Sequence, residues 1–133
     1  MTIPSTASTW DVAQILKRYE TACQDLQAGD WSRAQRGFED LTNAAPMESR
    51  FYFGLGLCLQ QQAQWARATR QFAICVNLNP SDAASTFRLA ECLEAAGETA
   101  DARESYQDAL KLCALPESPP ELRGLIEARL QDL

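Results

Sequence analysis

The sequence predicts an all-α fold: a helical solenoid of three helix-turn-helix repeats with an extra C-terminal capping helix. Three observations carry this. Small residues, aromatics and prolines recur at a period of 34 residues. Glycine and proline fall between amphipathic runs, where helices must stop. The chain has 133 residues, a length suited to one domain with a substantial core.

The recurrence extends over many columns. Gly29, Ala63 and Gly97 align, followed by Ala34, Ala68 and Ala102, then Phe38, Phe72 and Tyr106, then Leu41, Cys75 and Ala109. Pro46 and Pro80 close the first two units, with Ala114 in the third. Upstream, Ala22, Gly56 and Ala90 match, as do Leu55 with Leu89, Leu59 with Leu93 and Cys58 with Cys92. Asp25 breaks the Leu59 and Leu93 column, so the first repeat is the least regular. A period of 34 with this small–aromatic–proline pattern resembles the tetratricopeptide repeat, over about residues 12–114.

Residues 1–8 read as a disordered N-terminus and 9–133 as a single domain. Its repeats are placed at about 12–46, 47–80 and 81–114, with the capping helix at about 119–132. Helices are expected over 9–28, 31–44, 48–62, 65–78, 82–96, 99–112 and 119–132. Ser8 with Asp11 offers a capping box for the first. Gly29 and Gly97 stand where a helix ends in positive φ. Pro46 and Pro80 stop the second helix of their units, because proline lacks the amide donor and clashes with the preceding turn. The small residues at 22, 56 and 90, and the alanines at 34, 68 and 102, are expected to let paired helices approach closely. The aromatics at 38, 72 and 106 should fill the space between units. For the last helix, Ser118 and Pro119 mark the start, and Leu122, Leu125, Ile126 and Leu130 form one stripe. Such a helix covers the open end of a repeat array.

The stretch FYFGLGLCLQ, residues 51–60, carries no charge and has three apolar faces. On a helix, Tyr52, Leu55, Gly56 and Leu59 share the face that packs inside the repeat. Phe51, Gly54 and Cys58 share a second, toward the preceding repeat. Phe53, Leu57 and Gln60 form a third. In stacked helical pairs the first helices line the concave side, so this third face should look into a groove. Its repeat equivalents are Tyr19 and Phe87, Cys23 and Glu91, and Leu26 and Glu94. The expected groove is therefore Tyr19, Cys23, Leu26, Phe53, Leu57, Gln60 and Phe87, with Leu16 beside it and a polar end at Arg88, Glu91 and Glu94. A contiguous exposed apolar patch marks a binding surface. The competing reading is that the aromatics belong to the core.

The same sequence excludes several chemistries. There is no histidine, so no His-based relay or triad exists. The five cysteines lack zinc-ligand spacing and read as reduced, mostly buried thiols. Gly54-Leu55-Gly56 lies within a helix and lacks the strand and third glycine of a phosphate loop. Glu91 and Glu94 read as solvated charges rather than a catalytic pair. A net charge of -6 disfavours nucleic acid, whose binding rests on Lys and Arg neutralising phosphates. It gives no support for an anionic membrane surface either. MTIPSTAST has neither the basic nor the apolar region of a signal peptide. The expectation is a cytoplasmic non-enzyme with no metal and no cofactor.

Two groups of tetratricopeptide proteins bear on the partner. A carboxylate clamp for chaperone C-termini needs several converging donors. The corresponding columns hold Tyr19, Cys23, Gly54, Ala84 and Arg88, of which only Arg88 fits. The runs SRFYFGLGLCLQQQAQWARATRQF and STFRLAECLEAAGETADA resemble instead the class II chaperones of bacterial type III secretion. The matching elements are Ser49-Arg50-Phe51, Gly54-Leu55-Gly56 with Cys58, Ala90-Glu91-Cys92-Leu93 and Gly97-Glu98, with Asp30-Trp31 after the first repeat's helix. The resemblance implies binding of hydrophobic translocator proteins through an extended N-terminal segment, held at Tyr19, Cys23, Leu26, Phe53, Leu57, Phe87 and Glu91. Leu26 stands where the family often has an aromatic. The region before the first helix is short for the family, which leaves a homodimer open. A needle-subunit co-chaperone and a general protein–protein adaptor are the other readings.

Overall fold

The computed structural model describes residues 10–133. They form seven α-helices: α1 Val12–Gln27, α2 Trp31–Ala44, α3 Ser49–Gln61, α4 Trp65–Leu78, α5 Ala83–Ala95, α6 Thr99–Leu112 and α7 Leu122–Asp132. Each packs on the next, and α1 also touches α3. The result is an all-helical tetratricopeptide-like solenoid of three pairs, with α7 laid against α6.

The three intra-repeat turns are the same device. Gly29 and Gly97 adopt φ of 80° and 86°, and Ala63 in the same column takes 57°. In each turn the next amide reaches back to the third-last helical carbonyl at 2.9 Å: Asp30 to Asp25, Gln64 to Leu59 and Glu98 to Leu93. The irregular Asp25 column is therefore one whose backbone oxygen makes the turn, whatever the side chain. Asp25 itself lies near Arg33, 3.9 Å away.

The inter-repeat turns follow from proline. Ala45 and Asn79 precede Pro46 and Pro80 and have φ near -140° with ψ of 77° and 82°. Proline bars the α-region to the residue before it, so α2 and α4 end there. Glu48 and Asp82 then cap α3 and α5, accepting hydrogen bonds from the Arg50 amide and from the Ala84 and Ser85 amides.

Two helices, α1 and α7, start three residues later than expected, and α3 and α5 one residue later. The capping box of α1 is formed by Asp11 with Gln14, at 2.8 and 2.9 Å, rather than by a pair beginning at Ser8. Ser8, like the whole expected disordered segment 1–8, lies outside the described residues. Helix α7 begins at Leu122 after a Pro119–Glu121 turn, three residues past the expected start. Its stripe is also narrower than expected. Leu122 and Ile126 are buried and Leu130 partly so, but Leu125 is 53% exposed. A helix with one main neighbour covers only the residues along a single line of contact.

The core falls into two clusters. One runs through α1–α4 and reaches Cys92; the other joins α5, α6 and α7. The small residues act as expected. A Cβ on Gly54 would stand 2.3 Å from the Phe38 ring, and one on Gly56 would stand 2.7 Å from the Phe72 ring. Burial pushes the thiols of Cys58, Cys75 and Cys92 up to about 12, which keeps them neutral.

Candidate functional site: a face shared by α1, α3 and α5

Position 19 and its repeat equivalents each lean on an aromatic of the partner helix. Tyr19 meets Phe38 at 6.2 Å, Phe53 meets Phe72 at 5.5 Å, and Phe87 meets Tyr106 at 5.9 Å, as edge or tilted pairs. Such offset contacts are favourable and hold the rings in place. This corrects one expectation. The second-helix aromatics pair within their own repeats, and only Phe38 is pressed close by a glycine of the next unit.

The pairs differ in how much of the first ring is left open. Tyr19 and Phe53 are half-buried, and they line a cavity of about 230 Å³ with Ser49, Arg50, Asp82 and Ala84. Three first helices thus contribute to one hollow. Phe87 does not stand open beside them: it is 6% exposed and belongs to the second core cluster. The polar Asp82 cap and small Ala84 precede it on α5 in place of a further aromatic. Cys23, Leu26 and Leu57 are half-buried and pack against the first cluster, continuing the apolar surface.

The environment of Tyr19 is mixed. Its ring lies 5.3 Å from Phe51, and the Arg50 guanidinium sits 5.5 Å from its centroid. Burial, then the neighbouring Cys23, raises its phenol above the usual value. Arg50 is itself held by Glu48 at 3.0 Å, and that hydrogen bond is the main reason the Glu48 carboxyl lies below its ordinary range.

At the α5 end the surface turns polar. Glu91, whose side chain is 13% exposed, accepts hydrogen bonds from Gln60 Nε2 at 3.3 Å, Arg88 Nη1 at 3.1 Å and Arg129 Nη2 at 3.2 Å. Arg129 also approaches Glu94 at 3.7 Å, and the Tyr106 hydroxyl donates to Glu94 at 2.7 Å. Glu91 and Glu94 are thus paired groups rather than free surface charges. Gln60 Oε1 is enclosed and has no hydrogen-bond donor.

Of the expected groove residues, the structure gathers Tyr19 and Phe53 at the hollow, and Gln60, Arg88 and Glu91 in the polar cluster. Ser49, Arg50, Asp82 and Arg129 were not expected at this surface. The first two lie one turn before Phe53 on α3, so the spacing of helix neighbours could have indicated them. Arg129 arrives from α7, 38 residues from Glu91, and no local pattern points to it.

Other hollows exist, among them one of about 400 Å³ between α1 and α2, lined by Lys17, Arg18, Asp25 and Asp40. It carries charges of both signs on its rim and lies between one helix pair, not across the first helices of the three repeats. Among the described residues no cluster of three His, Cys, Asp or Glu could hold a metal, and no helix is long and apolar enough to cross a membrane.

The tetratricopeptide repeat family model matches residues 19–68 and 59–119. No curated protein sequence matches this chain. Several solved structures are similar. The Yersinia enterocolitica type III secretion chaperone SycD, in complex with a peptide of the translocator YopD, is 26% identical, with 92% of this chain and 93% of that chain covered and a TM-score of 0.88. PcrH of Pseudomonas aeruginosa in complex with the chaperone-binding region of PopD is 23% identical, with 93% of both chains covered and a TM-score of 0.89. PcrH with the chaperone-binding region of PopB is 22% identical, covering 93% and 97%, with a TM-score of 0.81. The repeat columns, the three matched turns and the family match place this chain in the tetratricopeptide repeat family, and its fold is that of the class II translocator chaperones of type III secretion.

Proposed function

We propose that this protein is a non-enzymatic chaperone of the bacterial cytoplasm that holds hydrophobic translocator subunits of a type III secretion system before export. The observation that carries the proposal is the hollow across α1, α3 and α5, where Tyr19 and Phe53 are anchored from behind by core rings and remain half-open in front. Cys23, Leu26 and Leu57 extend the surface. SycD and PcrH, which share this fold, have been solved with a YopD peptide and with the chaperone-binding regions of PopD and PopB.

The mechanism is burial without chemistry. A subunit built for membranes exposes apolar segments in water and aggregates. One buried Leu-sized anchor contributes about 1.5–3 kcal/mol. Association costs about 4–15 kcal/mol. Several anchors must therefore act together, which a groove crossing three helices allows. Covering the segment prevents aggregation and premature assembly. SycD has been crystallised as a dimer, and a homodimer is the corresponding expectation here, to be read by sedimentation.

The test is a pull-down from the native bacterium with wild type beside Phe53→Asp and Leu57→Asp, the bound proteins being identified by mass. The expected result is a secreted protein with long apolar stretches, held by wild type and lost by both variants, which keep their helical circular dichroism. Retention by both variants would move the site off this face. A small needle subunit or a soluble folded partner in its place would favour the co-chaperone or adaptor reading.

A further inference from the structure

We propose that Gln60, Glu91 and Arg129 form a polar stop at the α5 end of the groove, which sets where an extended client segment must change from apolar to hydrogen-bonding residues. The inference rests on the chaperone reading above and adds a specificity element to it.

The repeat columns show the change of character. Cys23 and Leu57 lead to Glu91, and Leu26 leads through Gln60 to Glu94. Glu91 is not free to swing away. Arg88 holds it from its own helix, Gln60 from α3 and Arg129 from α7. Because Arg129 also approaches Glu94, the capping helix braces this end of the groove. An apolar client side chain laid over the cluster would strip the remaining water from paired charges and return no bond. A hydrogen-bonding residue is accepted where an apolar one is refused.

Gln60 is fixed within the cluster. Its Nε2 is spent on Glu91 and its Oε1 has no donor. First helices spaced about 8–10 Å apart, and about 3.3 Å per extended residue, put the apolar part of the client between α1 and α5 at about five or six residues.

The probe is a set of synthetic peptides of about ten residues, long enough to cross the groove. In each a Leu- and Val-containing block gives way to Ser and Thr, the boundary moving one residue at a time. Binding is read by fluorescence anisotropy. Wild type should bind best at one boundary. Glu91→Leu should move that optimum to longer apolar blocks and gain about tenfold for them, a change of about 1.4 kcal/mol. Arg129→Ala, on a helix outside the groove, should flatten the preference by a smaller factor. Glu91→Gln, which keeps the shape, should also flatten it, and it serves if the leucine variant does not fold. Wild-type binding with no preferred boundary, or one that none of the folded variants alters, would overturn the stop alone. No binding of any peptide by wild type would overturn the groove reading, and the stop with it.

Discussion

The two inter-repeat interfaces occupy the same columns and are built differently. Between the first and second repeats, Leu41 and Phe51 are buried in a shared apolar cluster, and Gly54 lets the Phe38 ring come close. Between the second and third, the equivalent positions hold Cys75, Ser85 and Arg88. There Cys75 and Ser85 are buried, the thiol 3.4 Å from the Ser49 carbonyl of its own repeat and the hydroxyl donating to Asp82 of its own helix start at 2.6 Å. With arginine in place of glycine, Phe72 lies over Gly56 of its own repeat. Glycine thus decides which way a core aromatic leans. The second interface has a thiol and a hydroxyl where the first has Leu41 and Phe51, and the break between the two core clusters falls there. In a repeat array, stability is close to a sum of unit and nearest-neighbour terms. The third repeat with α7 should therefore open before the first two repeats separate.

The largest expected effect comes from closing the gap at the first interface. Gly54→Leu sets side-chain atoms into the ring of Phe38, itself only 1% exposed and unable to move aside. A loss of about 3 kcal/mol is expected. Gly56→Leu should act similarly on Phe72 and disrupt the second repeat internally. A thermal melt matching wild type for either variant would refute the packing described. Next, Asp82→Ala removes the cap of α5 and the acceptor for Ser85, at a cost of about 1–2 kcal/mol. Hydrogen exchange should show protection falling in α5–α7 while α1–α3 stay protected. Equal loss in all helices would mean the array is one cooperative unit.

Alkaline pH should act more gently on the buried thiols, among them Cys75 at the second interface. The folded thiols at positions 58, 75 and 92 titrate near 12, well above an unfolded cysteine at about 8.5. Their protonated form is favoured by folding, so their contribution is complete below about pH 8.5 and is lost as pH rises toward 12. Melting temperature should fall over that window, and Cys75→Ala should show a shallower fall. The smallest effect is a gain. Ala63 holds φ of 57° where its repeat equivalents are glycine, so Ala63→Gly should stabilise by about 0.5–1 kcal/mol. Calorimetry that finds no gain would show that the greater freedom of glycine in the unfolded chain offsets the relief.

Most of the fold could be read before the structure because its signals are local. Helices α2, α4 and α6 span the ranges expected from their flanking glycine, alanine and proline columns. The site was less legible. Phe53 and Phe87 share a repeat column, yet one is half-open and the other buried, because burial depends on the neighbouring units. The third repeat has α7 behind it and the polar Asp82–Ser85 turn in front. The bonds of Glu91 could not be foreseen for a related reason: one of its partners comes from a helix far along the chain.

By itself the sequence determined the repeat. A period of 34, glycines at positive φ and prolines that bar the preceding residue from helix are properties of short stretches of backbone, and they act wherever the chain goes. The tertiary structure decided which aromatic rings remain open, which way Phe38 and Phe72 lean, and that Arg129 pairs with Glu91. Those outcomes rest on excluded volume and ion pairing between segments distant in sequence, and such forces act only once the helices are stacked.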